Sequence, residues 1–173
     1  SALITARTAR LLGKEDIAVK YETLADKILT DIVAEYYSPN GRCCINTQTA
    51  ALLTLHEGLN RQDRALQQLL TLLQNADDKL KTGFVGTPLL CEELADHGQE
   101  KLADKLLLNE EYPGWLHEVN LGATTVWERW NSLDESGHIS STGMNSLNHY
   151  AYGAVAAYIW KRLVGLNPVE DAP

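Results

Sequence analysis

The strongest constraint on the fold is a helical periodicity of apolar side chains over residues 15–37. The apolar positions follow one another at steps of four, three, four and four residues, which places them on one face of an α-helix. Asp26 and Asp31 fall away from that face, as expected of a solvated side. Residues 38–41 (Ser-Pro-Asn-Gly) end the pattern with turn chemistry. We therefore predict a long helix with a buried apolar stripe, formed by Ile17, Tyr21, Leu24, Ile28 and Ile32.

Shorter stretches of the same periodicity occupy most of the remaining chain, and residues that start or stop helices bound them. Asn46 is the expected N-cap of one helix, and Thr87 is the expected cap of another, with Pro88 at its first helical position. Glycines are expected to end several of these helices. The predicted helices span residues 3–13, 47–57, 62–81, 88–97, 99–108 and 145–164.

Successive helices of this length with short links favour antiparallel helical hairpins. Loops are expected at residues 109–115 and 132–143. The strand-like residues 123–127 have no extended pairing partner elsewhere in the sequence, and no repeat of fixed period supports a solenoid. We predict an all-α fold in which residues 1–173 form a single region, since this length fits one domain.

Charge and composition narrow the classes of partner. The net charge is −8 at pH 7, so we expect no basic surface for nucleic acid or for an anionic membrane. The sequence has no run of about 18 apolar residues, which predicts no membrane span. The three cysteines include the adjacent pair Cys43 and Cys44, a poor disulfide framework. We expect reduced thiols, which are compatible with either the bacterial cytoplasm or the periplasm.

One stretch has a composition typical of carbohydrate chemistry. Two of the four tryptophans, Trp127 and Trp130, flank the carboxylate of Glu128. An indole offers an apolar face to a sugar ring, and a carboxylate can transfer a proton or bind a hydroxyl group. His149 is a second polar candidate, which we expect in the first turns of the final helix. Trp115 lies in a Pro-Gly loop and is a candidate for lining a cleft.

Each of these residues also has a purely structural explanation. Most glutamates are solvated, and a histidine within a core commonly serves only to satisfy hydrogen bonds. Trp160 lies in the middle of the final predicted helix, and we expect it to pack in the core.

Other catalytic and metal-binding patterns fail in this sequence. The zinc pattern His-Glu-x-x-His begins at His56 and again at His117, but its second histidine is absent from both. The pair Cys43-Cys44 lacks a second pair of ligands at a zinc spacing. Residues 83–86 (Gly-Phe-Val-Gly) lack the lysine of a phosphate loop, so we interpret them as a helix-to-helix turn. No Gly-x-Ser-x-Gly elbow is present. We predict no metal site and no cofactor.

Two motifs carry a resemblance to a known family. Residues 122–130 read Gly-Ala-Thr-Thr-Val-Trp-Glu-Arg-Trp, and residues 143–155 read Gly-Met-Asn-Ser-Leu-Asn-His-Tyr-Ala-Tyr-Gly-Ala-Val. Together they resemble the C-terminal half of the catalytic domain of bacterial α-L-rhamnosidases, glycoside hydrolase family 78. Residues 46–49, 83–87 and 106–116 fit the same family in the same order, so the resemblance covers nearly the whole chain.

The resemblance implies an (α/α)6 toroid of six helical hairpins, of which this chain would form about half. It implies inverting hydrolysis of terminal α-L-rhamnosides, with Glu128 as the general base and His149 as a contact to the sugar. Trp127 and Trp130 lie in the same motif, and we group them with Trp115 as candidate substrate-binding residues. The expected partner is a rhamnose-containing glycoside.

The resemblance also shows what this sequence lacks. The family's general acid lies in an upstream acidic motif with Arg and Trp, which is not present here. Inverting hydrolysis requires two carboxyl groups on opposite sides of the glycosidic bond. We therefore interpret the chain, which begins without Met, as part of a longer catalytic domain and as inactive alone. Half a toroid would expose apolar helix faces, so we expect self-association or association with the missing half of the domain.

Three other interpretations stay open on the sequence alone. One is a different glycosidase or a lyase on the same helical toroid, which still uses Glu128 but acts on another sugar. Another is a non-catalytic carbohydrate-binding module in which Trp115, Trp127 and Trp130 form a stacking platform. The third is a helical scaffold without a site, which the clustered aromatic residues disfavour.

Overall fold

The structure is a computed structural model that describes residues 1–59, 61–134, 136–140 and 143–167. Its described residues contain no β-strand, only the isolated bridges Tyr37–Cys43 and Leu133–Ile139, which confirms the all-α prediction. The helices are α1 (Ala2–Leu11), α2 (Glu15–Tyr36), α3 (Gln48–His56), α4 (Gln62–Gln74), α5 (Thr87–Asp96), α6 (Glu100–Leu107) and α7 (Trp115–Asn120). A final helical segment follows, made of a 3-10 turn (Ala151–Ala154), α8 (Val155–Tyr158) and a π turn (Ile159–Leu163).

Three helical hairpins form the framework, as the short links between helices predict. Helix α1 packs on α2, α3 on α4, and α5 on α6. Helix α3 also packs on α5, which in turn contacts the final helical segment. The helices α3 and α5 and the final segment thus form a continuous row, with α4 and α6 each against its hairpin partner. Three hairpins are half of the six that a complete toroid contains.

The core lies between α3, α4, α5 and α6, where leucines interdigitate. Each of these helices turns at least one fully buried leucine inward, as amphipathic helices of a packed domain do. The aromatic residues of the later chain extend the same core toward the final helical segment. The largest contributors are Leu52 and Leu55 of α3, Leu69 and Leu73 of α4, Leu90 and Leu94 of α5, Leu106 of α6, and Trp115, Trp130, Tyr152 and Tyr158.

Two helix starts differ from the prediction by one residue. Thr47, rather than Asn46, is the N-cap of α3, because its hydroxyl accepts the backbone N–H of Ala50 at 3.1 Å. The Asn46 side chain instead accepts a hydrogen bond from Gln68 of α4. Helix α5 already includes Thr87, whose hydroxyl bonds that of Thr82 at 2.8 Å. In both cases another side chain forms a hydrogen bond with the residue that was predicted as the cap.

Helix α4 ends at Gln74, well before the predicted residue 81. The chain then turns through Asp77 and Asp78, both in the left-handed backbone region. The buried side chain of Gln48 holds the following backbone, donating to Lys79 O and accepting from the Lys81 N–H at 2.6 Å. The periodicity of leucines could not reveal this, since the glutamine that replaces the helical bonds lies 31 residues earlier.

The C-terminal part differs most from the prediction. Helix α7 was not predicted, and it begins at Trp115, where the loop 109–115 was expected to end. The final helical segment begins at Ala151, not at residue 145, so His149 precedes it. The prediction that Trp160 packs in the core is wrong, because its side chain is 55% exposed. The acidic tail after residue 167 lies outside the described residues.

The prediction of a buried stripe on α2 is wrong for most of its length. Ile17, Leu24 and Ile28 are 41%, 42% and 42% exposed. The residues buried in the α1–α2 hairpin are alanines, Ala18 and Ala25 on α2 among them, so the two helices meet through small side chains. The larger side chains face solvent and an apolar groove of about 640 Å3 beside α3. No element among the described residues covers this face.

None of the helices in the described part of the chain is long and apolar enough to span a membrane.

We predict that the isolated chain self-associates through this α2 face, because water contact with so much apolar surface is unfavourable. At tens of micromolar, sedimentation equilibrium should give a mass of at least about twice the 19.2 kDa of one chain. The double variant Leu24→Lys, Ile28→Lys should shift the mass toward the monomer.

The matched control is Asp26→Lys, which places the same charge on an exposed position of the same helix off the apolar face. It should leave the mass unchanged. A wild-type chain that remains monomeric throughout the concentration range would contradict the prediction.

Candidate active site

Backbone pairing brings the two sequence motifs together. Residues 125–128 lie beside residues 146–149, although 18 to 23 positions separate the paired residues along the chain. The pairing explains why the final helix starts late, since residues 146–149 give their backbone groups to this contact. Its bonds run from His149 N–H to Val126 O at 2.8 Å and from Glu128 N–H to Ser146 O at 2.9 Å.

Glu128 is held by one carboxylate oxygen and open at the other. The residue is buried, with 9% of its surface exposed. Its Oε2 atom accepts the backbone N–H of Ser146 at 2.7 Å, a short charge-assisted bond. Its Oε1 atom has no hydrogen-bond partner among the described residues. This arrangement fixes the orientation of the carboxylate and leaves one oxygen able to accept a proton.

His149 lies beside this carboxylate segment with a defined set of ring contacts. Its Nδ1 atom accepts the N–H of Ala151 at 3.3 Å, so a neutral ring carries its proton on Nε2. The imidazole stacks on Phe84 with centroids 4.8 Å apart and on Tyr150 with centroids 4.9 Å apart. Both aromatic side chains are exposed. The Nε2–H group is therefore a donor at a rim of aromatic rings.

The connection from 82 to 86 places Phe84 at that rim. A side chain at Gly86 would bring its Cβ to 2.5 Å from Thr49 Oγ1 and 2.9 Å from Thr82 Cγ2, so only glycine fits. The interpretation of residues 83–86 as a helix-to-helix turn holds for α5, which follows directly, whereas α4 ends at Gln74, well before them. The turn also has a part in the site, because it presents Phe84 to His149.

The three tryptophans near the site are buried rather than open. Trp130 lies flat on Tyr152 with ring centroids 4.0 Å apart, and Trp115 meets Trp130 edge-on. The Trp115 indole N–H donates to Tyr152 O at 2.9 Å, and that of Trp130 donates to Thr82 O at 3.2 Å. Trp127 is buried as well. Trp115 and Trp130 therefore belong to the packed core, and all three indoles are covered by protein.

Glu118 of α7 is a buried carboxyl group that the sequence did not single out. It is 3% exposed, and burial raises its pKa to about 7. Its Oε2 atom accepts the backbone N–H of Trp127 at 3.4 Å, and its buried Oε1 atom has no hydrogen-bond partner among the described residues. In the sequence His117-Glu118-Val119-Asn120 it looks like an ordinary surface residue of a polar stretch, so no sequence signal marked it.

Metal and thiol chemistry find little support elsewhere in the structure. The described residues contain no cluster of three or more His, Cys, Asp or Glu that could hold a metal ion. Burial raises the pKa of the Cys91 thiol to about 12, so this thiol stays protonated at neutral pH.

The pairing thus places the segments that carry Glu128 and His149 side by side, and Trp115, Trp127 and Trp130 are buried rather than open to a substrate. Sequence reasoning did not identify the groups that position this pair. Some of them lay within the quoted motifs, where their identity was visible but their contacts were not. The residues found only in the structure are Phe84, Glu118, Ser146, Tyr150 and Tyr152.

Comparison with known proteins gives a consistent result. Residues 1–163 match the model of the bacterial alpha-L-rhamnosidase 6 hairpin glycosidase domain. An alpha-L-rhamnosidase of Formosa agariphila is 42% identical over 98% of this chain, which spans 19% of that protein. One of Alteromonas sp. is 40% identical over 97% of the chain, again 19% of that protein. The chain therefore spans about a fifth of the length of these relatives.

A solved structure agrees with the fold. The crystal structure of Streptomyces avermitilis alpha-L-rhamnosidase complexed with L-rhamnose superposes with a TM-score of 0.88 at 36% identity. The match covers 96% of this chain and 16% of the crystallised one. The three hairpins are thus part of a six-hairpin toroid, as predicted. On these findings, the chain belongs to the bacterial α-L-rhamnosidase six-hairpin glycosidase domain family.

Proposed function

We propose that this chain supplies the general-base half of the active site of a longer, inverting α-L-rhamnosidase. The observation that carries the proposal is the geometry of Glu128, with one oxygen fixed by the Ser146 N–H and the other unpartnered. Family membership supports rhamnoside hydrolysis as the activity. The L-rhamnose bound to the Streptomyces avermitilis enzyme indicates the sugar that fits such a domain.

The proposed chemistry is a single displacement. A water molecule lies between Glu128 and the anomeric carbon, on the face opposite the leaving group. Glu128 Oε1 takes a proton from this water while the oxygen of the water bonds to the anomeric carbon. The bond to the leaving oxygen breaks at the same time, and that oxygen receives a proton from a separate acid. The Ser146 N–H keeps Oε2 in place, so that Oε1 faces the water without reorientation.

The general acid remains to be located, because the family's acidic motif with Arg and Trp is not present in this sequence. It must lie about 6.5–9.5 Å from Glu128 to leave room for the water. We propose that it lies in the missing half of the domain, which would also cover the exposed face of α2. The isolated chain is then expected to bind an α-L-rhamnoside weakly or not at all and not to hydrolyse it.

His149 is proposed as the sugar contact, because its Nε2–H is free to donate to a hydroxyl group. The rings of Phe84 and Tyr150 hold the imidazole in plane, which reduces the entropy lost on binding. For Trp115, Trp127 and Trp130 we propose an indirect role in substrate binding, as the layer that keeps the base segment in position. Their burial disfavours the stacking platform of a non-catalytic module.

We predict that Glu128→Gln in the longer enzyme lowers kcat by about 10²–10⁴-fold on an α-L-rhamnoside with a poor leaving group. Glutamine keeps the shape and the hydrogen bond to Ser146 but cannot take a proton from water. Steady-state kinetics measure the loss, and Glu35→Gln on the exposed side of α2 is the matched control.

Two results would contradict this assignment. One is an unchanged kcat in Glu128→Gln. The other is release of α-L-rhamnose as the first product of the wild-type enzyme, seen by ¹H NMR before mutarotation. That result would show retention and make a single water displacement impossible.

We further predict that His149→Ala lowers kcat/KM about tenfold. The variant loses one hydrogen bond to the sugar, and about 1.4 kcal/mol of lost binding free energy corresponds to a tenfold change. His97→Ala is the control, because that histidine lies at the far end of α5 from the site. Equal kcat/KM values for the His149 variant and the wild type would contradict the assignment of His149 as a sugar contact.

A further inference from the structure

The pairing of residues 125–128 with 146–149 leaves one backbone donor pointing the other way. The C=O and N–H groups of one trans peptide unit point in opposite directions. The carbonyl of Val126 and the N–H of Glu128 face residues 146–149, and the N–H of Trp127 between them faces away. That N–H meets the carboxyl group of Glu118 at 3.4 Å.

A carboxyl group at this position needs an explanation other than packing. Burying it without full hydrogen bonding is unfavourable, and its Oε1 atom has no partner in the part of the chain that the structure describes. A leucine or methionine at position 118 would fill similar space on the buried face of α7, next to Trp115, without that cost. The feature that only a polar side chain provides here is an acceptor for the Trp127 N–H.

We propose that Glu118 is a positioning residue for Glu128, which fixes the peptide before the proposed base by accepting the Trp127 N–H. The base segment is then held from both sides, by residues 146–149 on one and by α7 on the other. The inference rests on the proposed function for its kinetic consequence, but the contact itself does not depend on that function.

The electrostatic surroundings are consistent with this role. Burial raises the pKa of Glu118 to about 7, and no charged group among the described residues contributes to that shift. Burial and the negative charge of Glu118 raise the pKa of the Tyr152 phenol, on which the charges of Arg129 and Glu128 also act. Glu118 retains an oxygen that can accept the Trp127 N–H whether it is ionised or neutral, so the contact persists on both sides of neutral pH.

The experiment compares Glu118→Gln, Glu118→Leu and Glu118→Met in the longer enzyme. Glutamine keeps a carbonyl oxygen at the same reach, whereas leucine and methionine keep the volume without an acceptor. Two quantities are measured: amide hydrogen exchange of a peptide covering residues 123–130, and kcat and KM on an aryl α-L-rhamnoside. Asn120→Leu, at an exposed position of the same helix, is the matched control.

Leucine and methionine are expected to speed exchange at residues 123–130 and to lower kcat about tenfold to a hundredfold, with KM within about twofold. Glutamine is expected to keep both quantities near wild type, as is Asn120→Leu. Exchange that is unchanged in Leu and Met variants would overturn the proposal, as would a glutamine variant as damaged as the leucine one. If the wild type lacks rhamnosidase activity, the proposed function fails, and the exchange data still decide whether Glu118 holds this segment.

Discussion

The structure of the site depends on the backbone pairing of residues 125–128 with residues 146–149. This contact turns two distant motifs into one unit, because each segment satisfies the other's backbone groups. It delivers Glu128 with its carboxylate already bonded to Ser146, and it sets His149 immediately before the final helical segment. The aromatic layer of Trp115, Trp130 and Tyr152 supports the pairing from the core side.

The helical framework explains why such a site can be rigid on one side and open on the other. The row formed by α3, α5 and the final helical segment shares a continuous leucine core with α4 and α6. The α1–α2 hairpin, in contrast, is joined through alanines and leaves its larger apolar side chains exposed. We propose that the missing half of a six-hairpin domain packs on that face and carries the acid, so that stability and catalysis both require the rest of the domain.

The sequence predicts this architecture well where local periodicity decides it, and less well where a distant partner does. Helices α3 and α6 begin and end close to their predicted positions, because leucine spacing and caps are local signals. Helix α4 stops early because Gln48, far away in sequence, bonds the chain beyond it. The final helix loses its first residues to the pairing with 125–128, which periodicity alone cannot reveal. The stripe on α2 is real as a pattern, but its burial requires a surface that the described part of the chain does not supply.

The candidate site follows the same rule. Composition marks Glu128 and His149 as candidates and the motif resemblance gives their expected roles, while their supports, Ser146 and Glu118, act through backbone contacts that leave no pattern in the residue types. The most direct test of the central claim is azide rescue of the Glu128→Ala variant of the longer enzyme, because azide attacks without needing a base. Azide should restore turnover of an aryl α-L-rhamnoside and yield the β-L-rhamnosyl azide, identified by ¹H NMR. No response to azide would contradict the assignment of Glu128 as the group that activates the attacking water.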